Sequence, residues 1–591
     1  MGMSNGAFGI PLAKTFKHRG HRGHGRNPDL HVLTLCTDRY YAPLLGVFSM
    51  RKLALLACLM AGCIGVWQAQ AVADDDHDHH DMMESQLGTV HFPVSCSPDA
   101  QKTFEKGVAL LHSFWYEEAE KTFIEAQKQD PKCAMAHWGV AMSLWHQLWD
   151  WPQEDVIARG AAELKKAQKP KAKTERERDY ISASQAFYTH KGSEKGNSDH
   201  EARARAYSDA MEKVYTRYAD DHEAAAFYAL SLIASEPQND TTFANRKKAG
   251  AILEKLFEIE PDHPGIAHYL IHTYDKPQLA QLGLPAARRY AAIAPASPHA
   301  LHMPSHIFER VGDWPDDITS NLASIAATRK TAAMHMGGEA HQFHAMDFLI
   351  YAYLQSGRED EAAKWIEEVK TMPSMKMGDM DMQAFAAAKF PAMYALEMHR
   401  WADAAKLEVV ANSTDGDKAS TYWARAIGAA RSGDVVGAKK DVAEIEAIRK
   451  DYETRHKNYA AESTEMAENE ASAWVKHAEG HDDEAVSLMR KVADHEDSVG
   501  EEQTSIPARE MLADILLEMH RPDLALAEYQ GDLKFNPRRF NGLYGAAQAA
   551  EMAGKASEAG EYYALLVKTC EGGGSGRPEL AKAKQAVVAA N

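Results

Sequence analysis

A spacing of 34 residues recurs along the chain and limits what it can fold into more than any other feature. Ala559 follows Ala525, and Pro295 follows Pro261, each after 34 residues. Small residues at fixed positions let two helices approach closely, and a proline ends a helix because it lacks the backbone N–H. The chain is therefore predicted to be all-α and built from stacked helix pairs.

The first pair of predicted helices carries the fullest version of this pattern. Small, small, aromatic, small and proline residues stand at Gly107, Ala119, Phe123, Ala126 and Pro131. These spacings resemble the tetratricopeptide repeat (TPR), and the resemblance covers most of residues 100–570. It implies a right-handed α-solenoid of about eight to ten TPR-like helix pairs, some of them degenerate. TPR arrays serve many purposes, so the resemblance indicates an architecture and a binding groove but no single activity.

The distribution of charge bears on the partner. The formal net charge is −19, from 66 Lys and Arg against 85 Asp and Glu. Residues 1–73 hold eight basic and two acidic side chains, so the rest of the chain carries −25. A surface this acidic repels phosphate backbones, and we expect no nucleic-acid partner. The partner that the TPR resemblance implies is a protein or peptide in the concave groove.

Residues 50–73 have the layout of a secretory signal peptide. Two basic residues precede an apolar run, Leu53–Val66, which is too short to span a bilayer. Cleavage is predicted after Ala73, and lipidation at Cys63 is the alternative. We therefore expect an exported, bacterial-type protein, periplasmic or secreted, without a transmembrane segment. Residues 1–49 are interpreted as an upstream extension from a start codon assigned too early.

Three cysteines remain after this processing: Cys96, Cys133 and Cys570. An exported chain meets an oxidising compartment, where neighbouring cysteines form disulfides. Cys96 precedes the first helix, and Cys133 follows the proline that ends the first pair. A Cys96–Cys133 disulfide is predicted, which leaves Cys570 unpaired.

Composition and repeat register divide the mature chain into five parts. They are an acidic His-rich arm at 74–95, N-terminal TPR-like helices at 96–260, central units with a His-lined groove at 261–400, C-terminal TPR units at 401–570, and a flexible tail at 571–591. The arm begins with DDDHDHHDMM, which could gather divalent ions or serve as a disordered acidic segment.

The central units hold the most informative pattern, His-x3-His-x2-Asp/Glu, which occurs twice at a distance of 34 residues. A third unit places a histidine and an aspartate on the corresponding helix face. In TPR register all of these side chains face the groove, with His299 and His341 nearby. The candidate metal ligands are His268, His272, Asp275, His302, His306, Glu309, His344 and Asp347.

The spacing has a chemical reason. Residues four apart on a helix have Cβ atoms about 5–6 Å apart, so two imidazoles can meet at one metal ion. The carboxylate one turn later can be a third ligand or orient a ring. Two histidines and a carboxylate suit iron, zinc or copper, so a divalent or copper ion is the expected cofactor. Pro304, inside the second copy, is expected to kink its helix.

The residues leave alternatives open. The histidines could line a polar peptide groove or be copied with the repeat without binding a ligand. Five methionines at 372–382 either bind Cu(I) or pack as a connecting loop. The favoured function is an exported TPR scaffold that binds a protein or peptide and carries a metal site. The alternatives are a metal-dependent oxidoreductase or hydrolase, and a periplasmic copper or zinc handling protein.

Overall fold

Helices make up most of the described residues in a computed structural model. The described residues are 86–148, 152–169, 172–190, 197–237, 239–377, 380–500 and 504–590. They belong to one unit, Asp76–Asn591. The interpreted extension at 1–49, the signal peptide, Cys63 and the acidic tract at 74–83 lie outside the described residues. Within them the only strands are a two-residue hairpin pair, which confirms the predicted all-α class.

Four helix pairs form the N-terminal part. They are α1 (Pro98–His112) with α2 (Tyr116–Gln129), α3 (Ala134–Ser143) with α4 (Glu154–Ala167), α5 (Glu175–Tyr188) with α6 (Asn197–Arg217), and α7 (His222–Ala234) with α8 (Ala244–Ile259). The small residues act as the pattern predicts. A Cβ atom added at Gly107 would lie 2.7 Å from the Phe123 ring, so only glycine lets α1 and α2 pack this closely.

The central part contains three pairs and the hairpin. It comprises α9 (Pro264–Tyr274) with α10 (Ala280–Ile293), the broken helix α11 (Pro298–His302) and α12 (Pro304–Val311) with α13 (Trp314–Ala333), α14 (His341–Gln355) with α15 (Glu359–Val369), and strands β1 (Lys376–Met377) and β2 (Met380–Asp381). The break at Met303 is where Pro304 is expected to kink the helix.

The C-terminal part has five pairs and a last helix. It comprises α16 (Met382–Glu397) with α17 (Trp401–Ala404), α18 (Asp415–Arg431) with α19 (Val435–Thr454), α20 (Asn458–Ala478) with α21 (Asp482–Val499), α22 (Ala508–Glu518) with α23 (Pro522–Asp532), α24 (Phe540–Met552) with α25 (Ala556–Thr569), and α26 (Pro578–Ala590). The described residues thus form twelve pairs, more than the predicted eight to ten. The expected number was too low because short helices such as α17 and long ones such as α20 depart from the 34-residue register.

In most of the pairs, a left-handed residue follows the first helix and begins the turn. Glycine takes this position in five pairs, at Gly312, Gly357, Gly433, Gly480 and Gly554. In the first pair the same left-handed position is taken by Phe114, with φ 53°. A bulky side chain is strained in this conformation, so Phe114 marks a place where something other than the turn sets the residue.

Segments far apart in sequence also touch. Lys276 Nζ donates to the Val499 carbonyl at 2.8 Å, and Trp314 Nε1 donates to the Arg538 carbonyl at 3.0 Å. The buried Arg539 guanidinium bonds Glu397 and Glu510 at 2.8 and 2.9 Å. A simple solenoid has contacts only between neighbouring repeats. Here the central helices also contact the C-terminal helices. The His-rich region is therefore packed inside the protein.

The predicted flexible tail is held in place over its first residues. Arg577 is buried, and its Nη2 donates to the Glu397 carbonyl at 3.1 Å and to Asn541 Oδ1 at 2.6 Å. The Gly576 N–H donates to Glu359 Oε1 at 2.8 Å. One buried arginine thus anchors the glycine-rich segment, and α26 follows it as the last helix.

The N-terminal arm is fixed by a disulfide between Cys96 and Cys133, whose Cα atoms are 4.9 Å apart. Cys570 is a buried free thiol. Among the described helices, none has both the length and the hydrophobicity that crossing a bilayer requires.

Candidate metal centre

Six histidines from the central pairs meet in two groups of three. We call His268, His272 and His299 triad A. The second group, His302, His306 and His344, is triad B. Within each triad, one candidate donor atom per ring lies within 4.8 Å of the other two.

The repeat explains how the triads are built. His268 and His272 lie one turn apart on α9, which begins at Pro264 with His263 as its N-cap. His302 and His306 take the same positions one repeat later, on either side of the break at Pro304. The third ring of each triad comes from the next pair's first helix, as His299 on α11 and His344 on α14.

The hydrogen bonds of triad B fix the protonation of two rings. Asn321 Nδ2 donates to Asp317, so Asn321 Oδ1 must accept from His302 Nδ1–H at 2.7 Å. Asp275 Oδ2 can only accept, so it receives His306 Nδ1–H at 2.8 Å. The Nε2 atoms of His302 and His306 then face each other at 3.0 Å. In neutral rings both of these atoms carry lone pairs, and neither can donate to the other.

Such a pair of acceptors repels unless something positive lies between them. A proton would satisfy two nitrogens, whereas a metal ion also uses a third donor, and His344 supplies one. Two nitrogens bound to one ion at ordinary bond lengths are roughly 2.9–3.4 Å apart. The separation of the His302 and His306 nitrogens falls in this range.

Triad A repeats the arrangement with a backbone acceptor. His268 Nδ1–H donates to the His112 carbonyl at 2.6 Å, which leaves the lone pair on His268 Nε2. This atom lies 3.2 Å from His299 Nε2. His272 Nε2 is buried and has no hydrogen-bond partner among the described residues. Each triad therefore presents ring nitrogens toward a common point.

Burial favours the neutral form of His268, His299 and His302. Desolvation lowers the pKa of His268 to about 3 and the pKa of His302 and His299 well below the usual range, with neighbouring imidazoles adding to the effect. Neutral imidazole is the form that binds metals. The expectation that these side chains face an open groove was wrong for His268 and His302, which are 0% and 2% exposed. His272 and His344 are half-buried and lie nearest to solvent.

The three candidate carboxylates lie outside both donor sets. Asp275 binds His306 and also accepts from Arg310 Nε at 3.2 Å, so it orients a ring. His306 and Arg310 hold its pKa below the ordinary value even though burial opposes this. Glu309 lies 3.8 Å from Arg310 Nε, and Asp347 accepts from Lys389 Nζ at 2.6 Å. Glu309 and Asp347 lie on the predicted helices and Asp275 caps the C-terminus of α9, but the third donor of each triad is a histidine.

One phenylalanine packs against each triad. The Phe114 ring centroid lies 4.3, 5.4 and 5.8 Å from the centroids of His268, His272 and His299. Phe348 lies 4.7–5.2 Å from the three rings of triad B. The left-handed turn at Phe114 thus places an apolar ring on triad A, a role that the sequence does not reveal because the turn type is invisible in it.

A third cluster, His112, Glu223 and His263, also contains histidines but has a different hydrogen-bond arrangement. His112 Nε2 and His263 Nε2 donate to the two oxygens of Glu223 at 2.8 and 3.0 Å. The Tyr269 hydroxyl donates to His112 Nδ1 at 2.8 Å, and the Ile266 N–H donates to His263 Nδ1 at 3.2 Å. Each of the four ring nitrogens and both carboxylate oxygens take part in a hydrogen bond. The ring lone pairs in this network are therefore already hydrogen-bonded.

The methionine segment is packed against the central helices. Met372, Met375 and Met377 are half-buried beside an apolar cluster, and Gln342 Nε2 lies 3.5 Å from Met375 Sδ. Met380 is 37% exposed. This packing is what is expected of methionines in a connecting loop that covers an apolar cluster.

Comparisons with known proteins give structural similarity only. No family model matches the chain, and no curated protein sequence is similar to it. Human IFIT1, solved as a dimer with m7Gppp-AAAA, is 12% identical with a TM-score of 0.32 over 83% of this chain and 99% of its own. Yeast Tom70 is 11% identical with a TM-score of 0.30 over 83% and 96%. At this level the similarities add no functional information to the geometry of this chain.

Proposed function

We propose that the protein is a helical-repeat protein that binds transition-metal ions on triads A and B. The observation that carries the proposal is the pair of His302 and His306 Nε2 atoms, 3.0 Å apart, whose Nδ1 atoms are both committed to acceptors. Outer hydrogen bonds of this kind orient ligating rings and raise their basicity. The His268 bond to the His112 carbonyl does the same in triad A.

Zinc and copper fit the donor sets best. Three neutral imidazoles with an open fourth position are a known arrangement for zinc, and imidazole also suits copper. Iron sites more often include a carboxylate ligand, and the described triads hold none. The half-buried His272 and His344 are the triad side chains that are most exposed to solvent.

Export is part of the proposal. The pattern of residues 50–73 motivates it, and the Cys96–Cys133 disulfide suits an oxidising compartment. A protein or peptide partner on the concave surface also remains a hypothesis. Because the triads are largely buried, substitutions of exposed residues can test partner binding without changing the triads.

Metal titration of the full chain tests the proposal. The protein is prepared without an affinity tag and with His77, His79 and His80 replaced by alanine, so that the acidic tract does not contribute. After chelator stripping, Zn(II) and Cu(II) are titrated against a chromogenic competitor. We expect two tightly bound ions per chain.

Paired variants locate the ions. His302→Ala with His306→Ala is expected to lose one ion, and the exposed pair His456→Ala with His481→Ala is expected to lose none. Because His302 and His306 are buried, circular dichroism and thermal unfolding check the fold, and the half-buried His344→Ala gives the same test with less disruption. If both triad B variants keep two ions, or the parent protein binds none, the metal function is wrong.

A further inference from the structure

Triads A and B lie against each other. The ring centroids of His299 and His302 are 6.0 Å apart, and those of His272 and His306 are 6.1 Å apart. Inside triad A the centroids of His272 and His299 are 6.4 Å apart. The distances between triads are therefore no larger than the distances within one, and the six rings form one continuous set.

The chain also ties the triads together covalently. His299 of triad A and His302 of triad B stand three residues apart on α11, a helix of five residues. Side chains at this spacing have Cβ atoms about 5–6 Å apart. An ion lies about 2 Å from each ring nitrogen that binds it, so ions in the two triads would be on the order of 4–7 Å apart. At the short end of this range, about 4 Å, two ions can share a single ligand atom.

Three imidazoles leave each ion with an open position, and the surroundings restrict where it points. Phe114 and Phe348 each cover their own triad with a ring that has no donor atom. The Asp275 carboxylate bonds His306 of triad B, and its charge also acts on His272 of triad A. Two cations held by neutral rings still require further negative charge in a buried site, which a small bridging anion supplies.

We infer that triads A and B form one dinuclear metal centre whose two ions share a small bridging anion such as hydroxide. The inference rests on the proposed metal function and extends it from two separate sites to one reactive centre. An anion held between two metal ions is activated as a nucleophile and is displaced by other small anions of similar size.

Cu(II) is the probe that distinguishes a coupled pair from two isolated ions. Imidazole sites bind Cu(II) at least as tightly as other divalent first-row ions. The full chain, in the His77, His79 and His80 alanine background, is loaded with two equivalents, and bound copper and electron paramagnetic resonance intensity are measured on one sample. A hydroxide bridge couples the two spins, so we expect two bound ions with less than about a fifth of the intensity of two isolated ions.

Removing one triad should restore the signal. His268→Ala with His272→Ala is expected to bind one ion and show the full intensity of one isolated Cu(II). If this pair unfolds the protein, the half-buried His272→Ala alone serves, since it leaves triad B intact. Azide should change the charge-transfer absorbance of the parent protein and do so far less in the single-triad variant.

The outcomes separate the two proposals. Two bound ions with the intensity of two isolated spins would overturn the dinuclear centre and leave the metal function standing. Failure to bind copper at all would overturn both. Coupled spins that persist after the loss of triad A would show that the bridge lies elsewhere and would overturn the assignment.

Discussion

Triad B and the His112–Glu223–His263 network are built from similar side chains and are both buried, yet they hold their protons differently. In the network each ring donates from Nε2 to Glu223 and accepts at Nδ1, so all lone pairs are satisfied. In triad B the donors point outward to Asn321 and Asp275, and the lone pairs of His302 and His306 converge. We therefore expect the direction of the outer hydrogen bonds to decide which cluster binds a cation.

This difference shows that counting ligand residues is a weak guide to a metal site. Two histidines and a carboxylate are a common set of metal ligands, as are three histidines. In this cluster, however, Glu223 accepts a hydrogen bond from each histidine, so the cluster satisfies its own donors and acceptors. Burial raises the pKa of a carboxyl group, and His112 and His263 nevertheless hold that of Glu223 below its ordinary value. The network satisfies its own hydrogen bonds, whereas in triad B the Nε2 atoms of His302 and His306 face each other.

The largest expected effect comes from breaking the network. Glu223→Ala leaves two buried histidine N–H groups without an acceptor and should lower the free energy of unfolding by about 3–5 kcal/mol. Denaturation of the metal-free protein measures it, with the exposed Glu258→Ala as control. Metal affinity at triad B should stay unchanged. A loss of triad B metal equal to that of the His302 and His306 double variant would show that the network belongs to the metal centre.

Much of the fold is legible in the sequence because the helix pairs depend on local residues. Gly107 against Phe123 and the break at Pro304 follow from side-chain size and the missing proline N–H. The helix count and the fixed tail do not follow. Arg577 forms hydrogen bonds with Glu397 and Asn541, which are distant in sequence. A local sequence pattern cannot predict such a contact.

The candidate site is legible to a similar extent. The 34-residue period brings His268, His272, His302 and His306 to equivalent places, and the sequence also names His344. The structure adds His299 as the third ring of triad A. The sequence could not show that Asp275 serves the following repeat's His306, because that contact crosses between helix pairs. It also could not show burial, since TPR register alone assigns these positions to a groove.

The second prediction tests the outward hydrogen bond of His306. Asp275→Asn keeps an acceptor but removes the charge that raises the basicity of the ring. Metal affinity at triad B should fall by about 10–100-fold, measured by chelator competition. Asp262→Asn, an exposed aspartate paired with Arg289, should leave affinity unchanged. Equal affinity in Asp275→Asn would mean that Asp275 only anchors Arg310.

The third prediction compares Glu223 with another buried glutamate. Glu470 accepts one hydrogen bond, from Trp423 Nε1 at 2.6 Å, and burial raises its pKa from 4.5 to about 8. Between these values the folded chain keeps a proton that the unfolded chain releases, so stability falls as the pH rises. Glu470→Gln should remove this dependence and stabilise the protein at pH 8 by on the order of 1–2 kcal/mol.

Urea denaturation at pH 5 and pH 8 measures this difference. The exposed Glu444→Gln is the control because it changes the same charge on the neighbouring helix. The gain should be present at pH 8 and small at pH 5, where the carboxyl is already protonated in the folded chain. A gain of equal size at both values would point to packing, and a loss at pH 8 would show that Glu470 is ionised in the folded protein.

The smallest expected effect separates the two neighbours of His302. Asn321 Oδ1 lies 2.7 Å from His302 Nδ1, whereas Ser305 Oγ lies 3.3 Å from the same atom and donates to Asn321 Oδ1. Hydrogen bonds weaken with distance, and the oxygen of an amide whose Nδ2 is already held by Asp317 is the better acceptor. Ser305→Ala should therefore lower the metal affinity of triad B by less than about threefold, against about tenfold or more for Asn321→Ala. Competition titration of both variants decides between them. If Ser305→Ala costs as much as Asn321→Ala, the hydroxyl and not the amide sets the protonation of His302, and the lone pair assigned to its Nε2 loses its main support.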